Sequence, residues 1–418
     1  MRTRPMICWS DVRGVHAGVW GLGVEGHANL RRLATLGTEP VLVDDHPPAE
    51  GPGGRPVLAT GYGGLAALAA CDVVIKTPGI SRYRPEVAEL EARGVPVVGG
   101  HRLWLAEPDR DRVVCITGTK GKSSTTAIVG HLLRRWGHRC LVGGNIGRPP
   151  WDPGHDDGDY DYWAIETSSY QATDLACSPP VVAVTSLHPD HLDWHGDVET
   201  YYRDKLSACS QPGAELTVAN GDSEPLRERA GLLGAHNRRN ALIARACLRA
   251  LGVPQAGDET ELAAAATGFA PLANRLQVIG EAGGVTFVDD SLSTNVLPTL
   301  AAMDAFPGRR VALIAGGHDR GIDYAPLAAG LATRDAPTLV LAVPDSGPRI
   351  QAAIEAESPG KVEVAACADL ASAVGRGYRW ARPDGVVLLS PAAPSFGRFR
   401  DYRDRGEAFA RAMRANTG

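Results

Sequence analysis

The stretch Ile116-Thr117-Gly118-Thr119-Lys120-Gly121-Lys122-Ser123-Ser124 constrains the fold more than any other part of the chain. Val113-Val114-Cys115-Ile116 ahead of it reads as a short buried strand. Thr125 to Trp136 behind it reads as a helix with apolar Ile128, Val129, Leu132 and Leu133. Strand, glycine loop, Lys-Ser and helix form a phosphate cradle. Backbone N–H groups and the helix N-terminus face the anion, the lysine adds a point charge, and the first serine reaches a magnesium ion. The general pattern has a glycine five residues before Gly121, where this chain carries Ile116, so the loop is a shortened variant running from Gly118 to Ser123.

Upstream, Gly21-Leu22-Gly23-Val24-Glu25-Gly26 is a G-x-G-x-x-G loop after a strand, followed by a helix over 28–36 and a second strand ending in Asp44-Asp45. Glycines there admit a pyrophosphate and the acid bonds a ribose hydroxyl, which makes a nucleotide-diphosphate site without saying which nucleotide. Cys71 to Lys76 is a further strand, closed by a turn at Pro78-Gly79. The polar run Glu107 to Asp111 marks a boundary. Downstream, Gly143-Gly144-Asn145-Ile146-Gly147 lets backbone approach a ligand, and 149–161 reads as a surface loop. The strand Tyr162 to Glu166 delivers a carboxylate at its C-terminal end, where parallel sheets place their active sites; beside a triphosphate it implies Mg²⁺.

The next strand, 181–186, leads into His188-Pro189-Asp190-His191-Leu192-Asp193-Trp194-His195. Such a cluster invites a zinc reading, ranked second because no cysteine accompanies it and the phosphate loop asks for a hard, oxygen-preferring ion. Asn237 and Asn240 share one face of a helix, where they cap it or hold a base. Residues 259–267 form a short helix, and 271–275 read as an interdomain hinge. The last third is again α/β, with strands expected at 284–289, 310–315, 338–343 and 385–389. Polar turns at 290–295, 316–321 and 390–402 follow three of them.

Composition narrows the class. A chain of 418 residues holds two or three domains. Its net charge of −5 argues against a nucleic-acid binder. No apolar run reaches membrane-spanning length and no secretory signal is visible, so the expectation is a cytoplasmic protein without membrane contact. The eight cysteines form no C-x-x-C and read as small core residues in a reducing compartment. Lysine stands only at 76, 120, 122, 205 and 361, against 38 arginines. Where arginine is the default cation, a retained lysine marks a place that needs a compact, titratable amine.

Taken together, Gly118-Thr-Lys-Gly-Lys-Ser123, Gly143-Gly-Asn-Ile-Gly147, Glu166-Thr-Ser-Ser-Tyr-Gln171, Asp190-His-Leu-Asp193, Lys205, His236-Asn-x-x-Asn240, Arg275, Asp290-Ser and Leu389-Ser-Pro-Ala resemble the Mur ligase family nearly end to end, in the family's order. The resemblance is to its glutamate-adding branch. It implies an α/β fold of three domains. An N-terminal Rossmann-like domain (1–108) binds a UDP sugar. A central P-loop ATPase-like parallel sheet (109–271) binds ATP and Mg²⁺. A C-terminal Rossmann-like domain (272–418) presents the amino acid. It implies an ATP-dependent, ADP-forming amide ligase of peptidoglycan synthesis, hence of cell-wall growth, cell shape and division. The reaction runs through an acyl phosphate on UDP-N-acetylmuramoyl-L-alanine, with glutamate as second substrate, in a monomer.

By resemblance, Lys122, Glu166, His191 and Lys205 are catalytic, and Ser123, Glu166, His191 and carbamylated Lys205 hold the metal. Gly118, Thr119, Lys120, Gly121, Lys122, Ser123, Ser124, Asn237, Asn240, Arg275 and Asp290 contact ATP. Gly23, Val24, Asp44, Asp45, Gly79 and Asn145 hold the sugar nucleotide, and Thr294, Arg320, Ser395 and Tyr402 hold glutamate. Departures cluster in the third domain. D-glutamate enzymes of the family carry lysine where Leu292 stands, lysine near Arg320 and phenylalanine near Tyr402. A rebuilt amino-acid wall beside an intact ATP site favours L-glutamate, with D-glutamate the alternative. A folylpolyglutamate synthase-like ligase fits less well, because such enzymes begin directly with the ATP domain. A non-catalytic nucleotide-binding homologue is disfavoured by the presence of Glu166, His191 and Lys205.

Overall fold

The computed structural model describes residues 6–155, 159–218, 235–357 and 359–417. It has two compact units, Met1–Ala230 with Arg239–Phe269, and Gly231–Arg238 with Ala270–Gly418. Among the described residues no helix is long and apolar enough to cross a membrane.

The first unit holds two five-stranded parallel sheets. Strands β1 (Ala17–Trp20), β2 (Val41–Asp44), β3 (Leu58–Ala59), β4 (Val73–Lys76) and β5 (Val97–Gly99) lie in the order β3-β2-β1-β4-β5. The strand order reverses between β1 and β4, so a crevice opens at their C-terminal ends, beside Gly21 and Thr77. The second sheet runs β10-β9-β6-β8-β7, from β6 (Val113–Thr117), β7 (Cys140–Gly144), β8 (Tyr162–Glu166), β9 (Val181–Val184) and β10 (Leu216–Val218). Every residue of β6 is buried. That is why it reads as an unbroken apolar run, covered on both faces. The helix Lys122–Arg135 packs Ile128, Val129, Leu132 and Leu133 inward. One core runs through both sheets, from Trp9, Val19 and Leu33 to Cys115, Trp151 and Ile165.

The 149–161 stretch departs from a plain surface loop. Trp151 is buried and its indole N–H donates to Asn29 Oδ1 at 2.8 Å, and Asp152 takes a two-pronged bond from Arg31 at 2.9 and 2.7 Å. Its proline, glycine and aspartate content masked one aromatic anchor. Residues 156–158 of that stretch lie outside the described residues.

The second unit has a six-stranded mixed sheet, β11-β12-β16-β13-β14-β15. The expected strands appear as β12 (Val285–Asp289), β13 (Val311–Ala315), β14 (Thr338–Ala342) and β16 (Val386–Leu389). Two more were not foreseen, β11 (Gln277–Ala282) and β15 (Glu363–Ala366), both at the sheet's edges. β11 runs antiparallel to β12 with a register shift between Val278 and Gly280, and it is half exposed, so it lacks the apolar run that betrays its neighbours. Separate apolar layers cover the two faces of this sheet.

Candidate active site

Strand β6 lies between β9 and β8, and the chain crosses from one side to the other there, so a ligand site opens at their C-terminal ends. Each strand supplies a part. β6 ends in the phosphate loop, β8 in Glu166, and β9 in Thr185 and Ser186. Gly118 (φ 127°) and Gly121 (φ 92°) sit in backbone regions that exclude side chains. A Cβ on Gly118 would stand 2.3 Å from Thr185 Oγ1, and one on Gly121 2.3 Å from Asn240 Oδ1. The loop is thus gripped by β9 on one side and by the Asn240 helix on the other. Thr119 donates to His188 O at 2.8 Å, and Lys120 N donates to Ser186 Oγ at 2.9 Å.

The lysines foreseen by the arginine bias converge. Lys122 Nζ donates to Gly118 O and Thr119 O at 3.0 and 3.1 Å, and Lys205 Nζ to Gly118 O at 3.0 Å. Lys120 Nζ stands 3.6 Å from Asp190 Oδ2. Lys205 is buried, with its amine 4.9 Å from the centre of the Tyr201 ring. Burial first, and the Lys122 and Lys120 charges after it, push its pKa down to about 7, against the pull of Asp190 and Glu166. The charges of Lys120 and Lys122 beside one loop favour a polyanion.

Ser123 Oγ donates to Glu166 Oε2 at 2.5 Å, and Asn145 Nδ2 to Glu166 Oε1 at 2.8 Å. These hard oxygen donors suit Mg²⁺. Among the described residues no three His, Cys, Asp or Glu side chains converge on one point. An ion here would complete its shell with phosphate oxygens and water, the usual condition of Mg²⁺. His191 takes a left-handed backbone (φ 53°), keeps about half its side chain exposed, and has its pKa lowered by burial of the ring and by the three nearby lysines, against Asp190. The zinc alternative loses a member, because His195 is turned inward onto Asp204 and Ser169.

At the ends of the first sheet, Gly23 caps the helix Val24–Thr35, Val24 stands 71% exposed, and Gly79 is exposed as well. Asp44 spends both oxygens on its own loops, accepting from Leu22 N at 2.7 Å and His46 N at 2.9 Å. Asp45 accepts from Thr60 Oγ1 at 2.8 Å and from Arg84 at 2.5 Å, bonds that outweigh burial and hold it ionised. Asn145, expected with the sugar nucleotide, donates to Glu166 at the end of β8.

The sequence reading passed over the charges between these sheets. Lys76 is fully buried and ion-paired with Asp174 Oδ2 at 2.5 Å, and Arg82 reaches the same carboxylate. Glu25 takes Gln171 Nε2 at 2.6 Å, and burial pushes its pKa up to about 7. The only sequence signal was Lys76 itself, one of five lysines.

In the second unit, Asp290 is buried at the end of β12 and accepts from Ser293 and Ser390 hydroxyls at 2.5 and 2.7 Å and from Leu276 N at 3.1 Å. Burial raises its pKa to about 6 despite these donors. Arg275 lies between Asn274 and Leu276, both with positive φ. Arg320 lies over the Phe396 ring at 5.5 Å, next to buried Ser395. Ser395 lines a cavity of about 160 Å³ with Gly317, Arg398 and Arg405. Tyr402 starts the helix Tyr402–Thr417, and Thr294 precedes the helix Val296–Met303. Asn237 belongs to this unit, Asn240 to the other.

Known proteins resemble this chain in sequence and fold. The family pattern described as the Mur ligase middle domain matches residues 116–231, and that of the Mur ligase glutamate ligase domain matches 274–393. A protein named UDP-N-acetylmuramoyl-L-alanine–L-glutamate ligase from a Micromonospora species is 41% identical, with 98% of each chain covered. One of the same name from Salinispora tropica is 40% identical, covering 98% of this chain and 99% of its own. A third, from Xanthomonas euvesicatoria, is 38% identical over 96% of this chain and 95% of its own. Among solved structures, UDP-N-acetylmuramate-alanine ligase MurC from Thermotoga maritima superposes with a TM-score of 0.56 at 18% identity, covering 96% of this chain and 99% of that one. MurF ligase from the same organism in complex with ADP gives 0.56 at 15% identity, over 99% and 98%. At such identities these two speak for the fold.

Proposed function

The chain belongs to the Mur ligase family, and we propose that it joins L-glutamate to UDP-N-acetylmuramoyl-L-alanine at the expense of ATP, forming ADP and phosphate. The reaction would serve peptidoglycan precursor synthesis in the cytoplasm. The observation that carries the reading is the convergence of Lys122, Ser123, Glu166 and Lys205 on one phosphate loop, in a chain whose near full-length relatives carry that activity in their names.

Each residue then has a task. The loop amides of 118–124 and Lys122 bind the phosphates, with Lys122 exchanging its bonds to Gly118 O and Thr119 O for phosphate oxygens. Asn240, Asn237, Arg275 and Asp290 serve the rest of the nucleotide. Ser123, Glu166, His191 and Lys205 would hold Mg²⁺, which when bound neutralises phosphate charge. An amine with a pKa near 7 is about half unprotonated at neutral pH, so Lys205 adds to CO₂, losing one proton and becoming a carbamate with oxygens to offer a metal. Gly23, Val24, Asp44, Asp45, Gly79 and Asn145 hold the sugar nucleotide, and its alanyl carboxylate attacks the γ-phosphorus to give an acyl phosphate. Thr294, Arg320, Ser395 and Tyr402 hold glutamate, whose amine displaces phosphate. Arg320 offers its side-chain carboxylate a two-pronged partner. On this reading the chain is a monomer of three domains, 1–108, 109–271 and 272–418.

The test is phosphate release from purified protein given UDP-N-acetylmuramoyl-L-alanine, ATP, Mg²⁺ and either glutamate enantiomer. Release with L-glutamate, together with an amide product by mass, is expected. Release with D-glutamate alone overturns the stereochemistry, and no release with either overturns the enzyme.

A further inference from the structure

Three segments carry the metal-site candidates: the residues after β8 with Glu166, the turn with His191, and the helix Val198–Leu206 with Lys205. One buried histidine ties them together. His195 shares the turn of His191. Its Nδ1 lies 2.8 Å from Asp204 Oδ2, beside Lys205, and its Nε2 lies 3.0 Å from Ser169 Oγ, three residues past Glu166. With Nδ1–H donating to the carboxylate, Nε2 accepts from the serine. His195, Asp204 and Ser169 are each at most 4% exposed.

Asp204 has a second tie, to the other sheet. The Tyr83 hydroxyl lies 2.7 and 2.8 Å from its two oxygens, and Arg203 Nη2 donates to that hydroxyl at 3.0 Å. Tyr83 follows β4 by a few residues, in the segment that begins at Gly79. The same segment sends Ser81 Oγ to Trp194 O at 3.4 Å. The Tyr83 ring meets Trp194 edge-on at 6.0 Å, and Trp194 stacks on Tyr170 at 4.5 Å. None of Tyr83, Asp204 or His195 has a task in the reaction above. Apolar side chains would fill the space without desolvating an imidazole and a carboxylate. The polar chain has a use if its two ends must be positioned together.

We infer that Tyr83, through Asp204 and His195, is a positioning residue: seating the sugar nucleotide on the Gly79 segment sets the Lys205 helix and the His191 turn for ATP. The inference rests on the function proposed above, and it adds a coupling between the two sites with named carriers. Coupling is reciprocal, so UDP-N-acetylmuramoyl-L-alanine must tighten ATP by the factor that ATP tightens it.

Calorimetry with adenylyl methylenediphosphonate and Mg²⁺, with and without saturating UDP-N-acetylmuramoyl-L-alanine, reads that factor. In the native enzyme it should be at least about fivefold. In Tyr83→Phe, which removes only a hydroxyl from a half-exposed ring, it should fall to near one, while affinity for the analogue alone stays within about twofold. Asp204→Asn should lose the same coupling, and the double variant no more than either single one. Undiminished coupling in Tyr83→Phe, or a parallel loss of analogue binding in the absence of sugar nucleotide, overturns the inference alone. Failure of the native enzyme to bind the sugar nucleotide overturns the proposed function and this inference with it.

Discussion

Lys205 shows what a single residue type decides. An arginine at 205 would carry a positive charge, yet it stays protonated at any working pH and cannot take up CO₂. In a chain that uses arginine nearly everywhere else, a lysine at 205 is what the proposed carbamate calls for. Lys205→Arg should therefore lower phosphate release by about 100-fold, the upper end of the loss that follows from disrupting metal-site support, with the fold intact by circular dichroism. Lys205→Ala should regain part of it with added acetate or formate. Near-normal turnover of Lys205→Arg would show that no carbamate is needed. Asp290 makes a different point. Its folded pKa of about 6 lies above the ordinary carboxylate value near 4, so the folded chain keeps a proton that the unfolded chain releases between roughly pH 4 and 6. Its contribution to stability is complete below that window and is lost as pH climbs through 6. Asp290→Asn removes the buried charge but retains acceptor and donor atoms for Leu276, Ser293 and Ser390. It should raise stability by up to about 3 kcal/mol at pH 8 and by only about 1 kcal/mol at pH 4.5. Scanning calorimetry at both pH values checks this, and an equal shift at both would remove the charge from the explanation.

At the level of elements, the phosphate loop was legible because its chemistry is local: a buried strand, two glycines and a Lys-Ser pair stand within a dozen residues. The strands β1, β2, β4, β6, β8 and β9 announced themselves by apolar runs for the same reason, whereas two-residue β3, β7 with its paired glycines and mostly exposed β10 were not read as strands. β11 and β15 did not, since edge strands bury half or less of their side chains and carry no such run. Nor did the ties from Tyr83 to Asp204 or from Arg31 to Asp152, whose partners stand 121 residues apart. Long-range polar pairs leave no period in a sequence. Asn240 is an intermediate case. Its helix was expected and its partner was not, and that partner is the loop itself. Gly121→Ala would drive a Cβ into Asn240 Oδ1 and force φ 92° on a residue that resists it. Either the loop or the Asn240 helix must shift. A fluorescent ATP analogue should bind at least about 100-fold more weakly, following the cost of roughly 3 kcal/mol that such strain carries, with only a small change in melting temperature. Unchanged affinity would mean that the loop's conformation in solution differs.

Across the whole first unit, two sheets are joined by a common apolar core and by a buried charge cluster. The cluster is an unusual choice, because burying Lys76, Arg82 and Asp174 costs desolvation that apolar residues would avoid. Burial alone would raise the pKa of Asp174, yet the charges of Lys76 and Arg82 reverse that and hold it below the usual carboxylate range. The carboxylate is thus ionised wherever the protein works, and two cations depend on it. Asp174→Asn keeps the shape and leaves a fully buried ammonium facing an amide. The expected loss is about 3–5 kcal/mol, the cost of an uncompensated buried charge, read as a lower urea midpoint. Pairing it with Lys76→Met should restore most of that, because the ion to be neutralised has gone with its partner. Arg82 keeps Val97 O and Glu91 in both variants, so it does not obscure the comparison. A loss below about 1 kcal/mol in Asp174→Asn would place the pair among ion pairs that contribute little. A double variant no better than the single would show that Asp174 holds the sheets through Arg82 and not through Lys76.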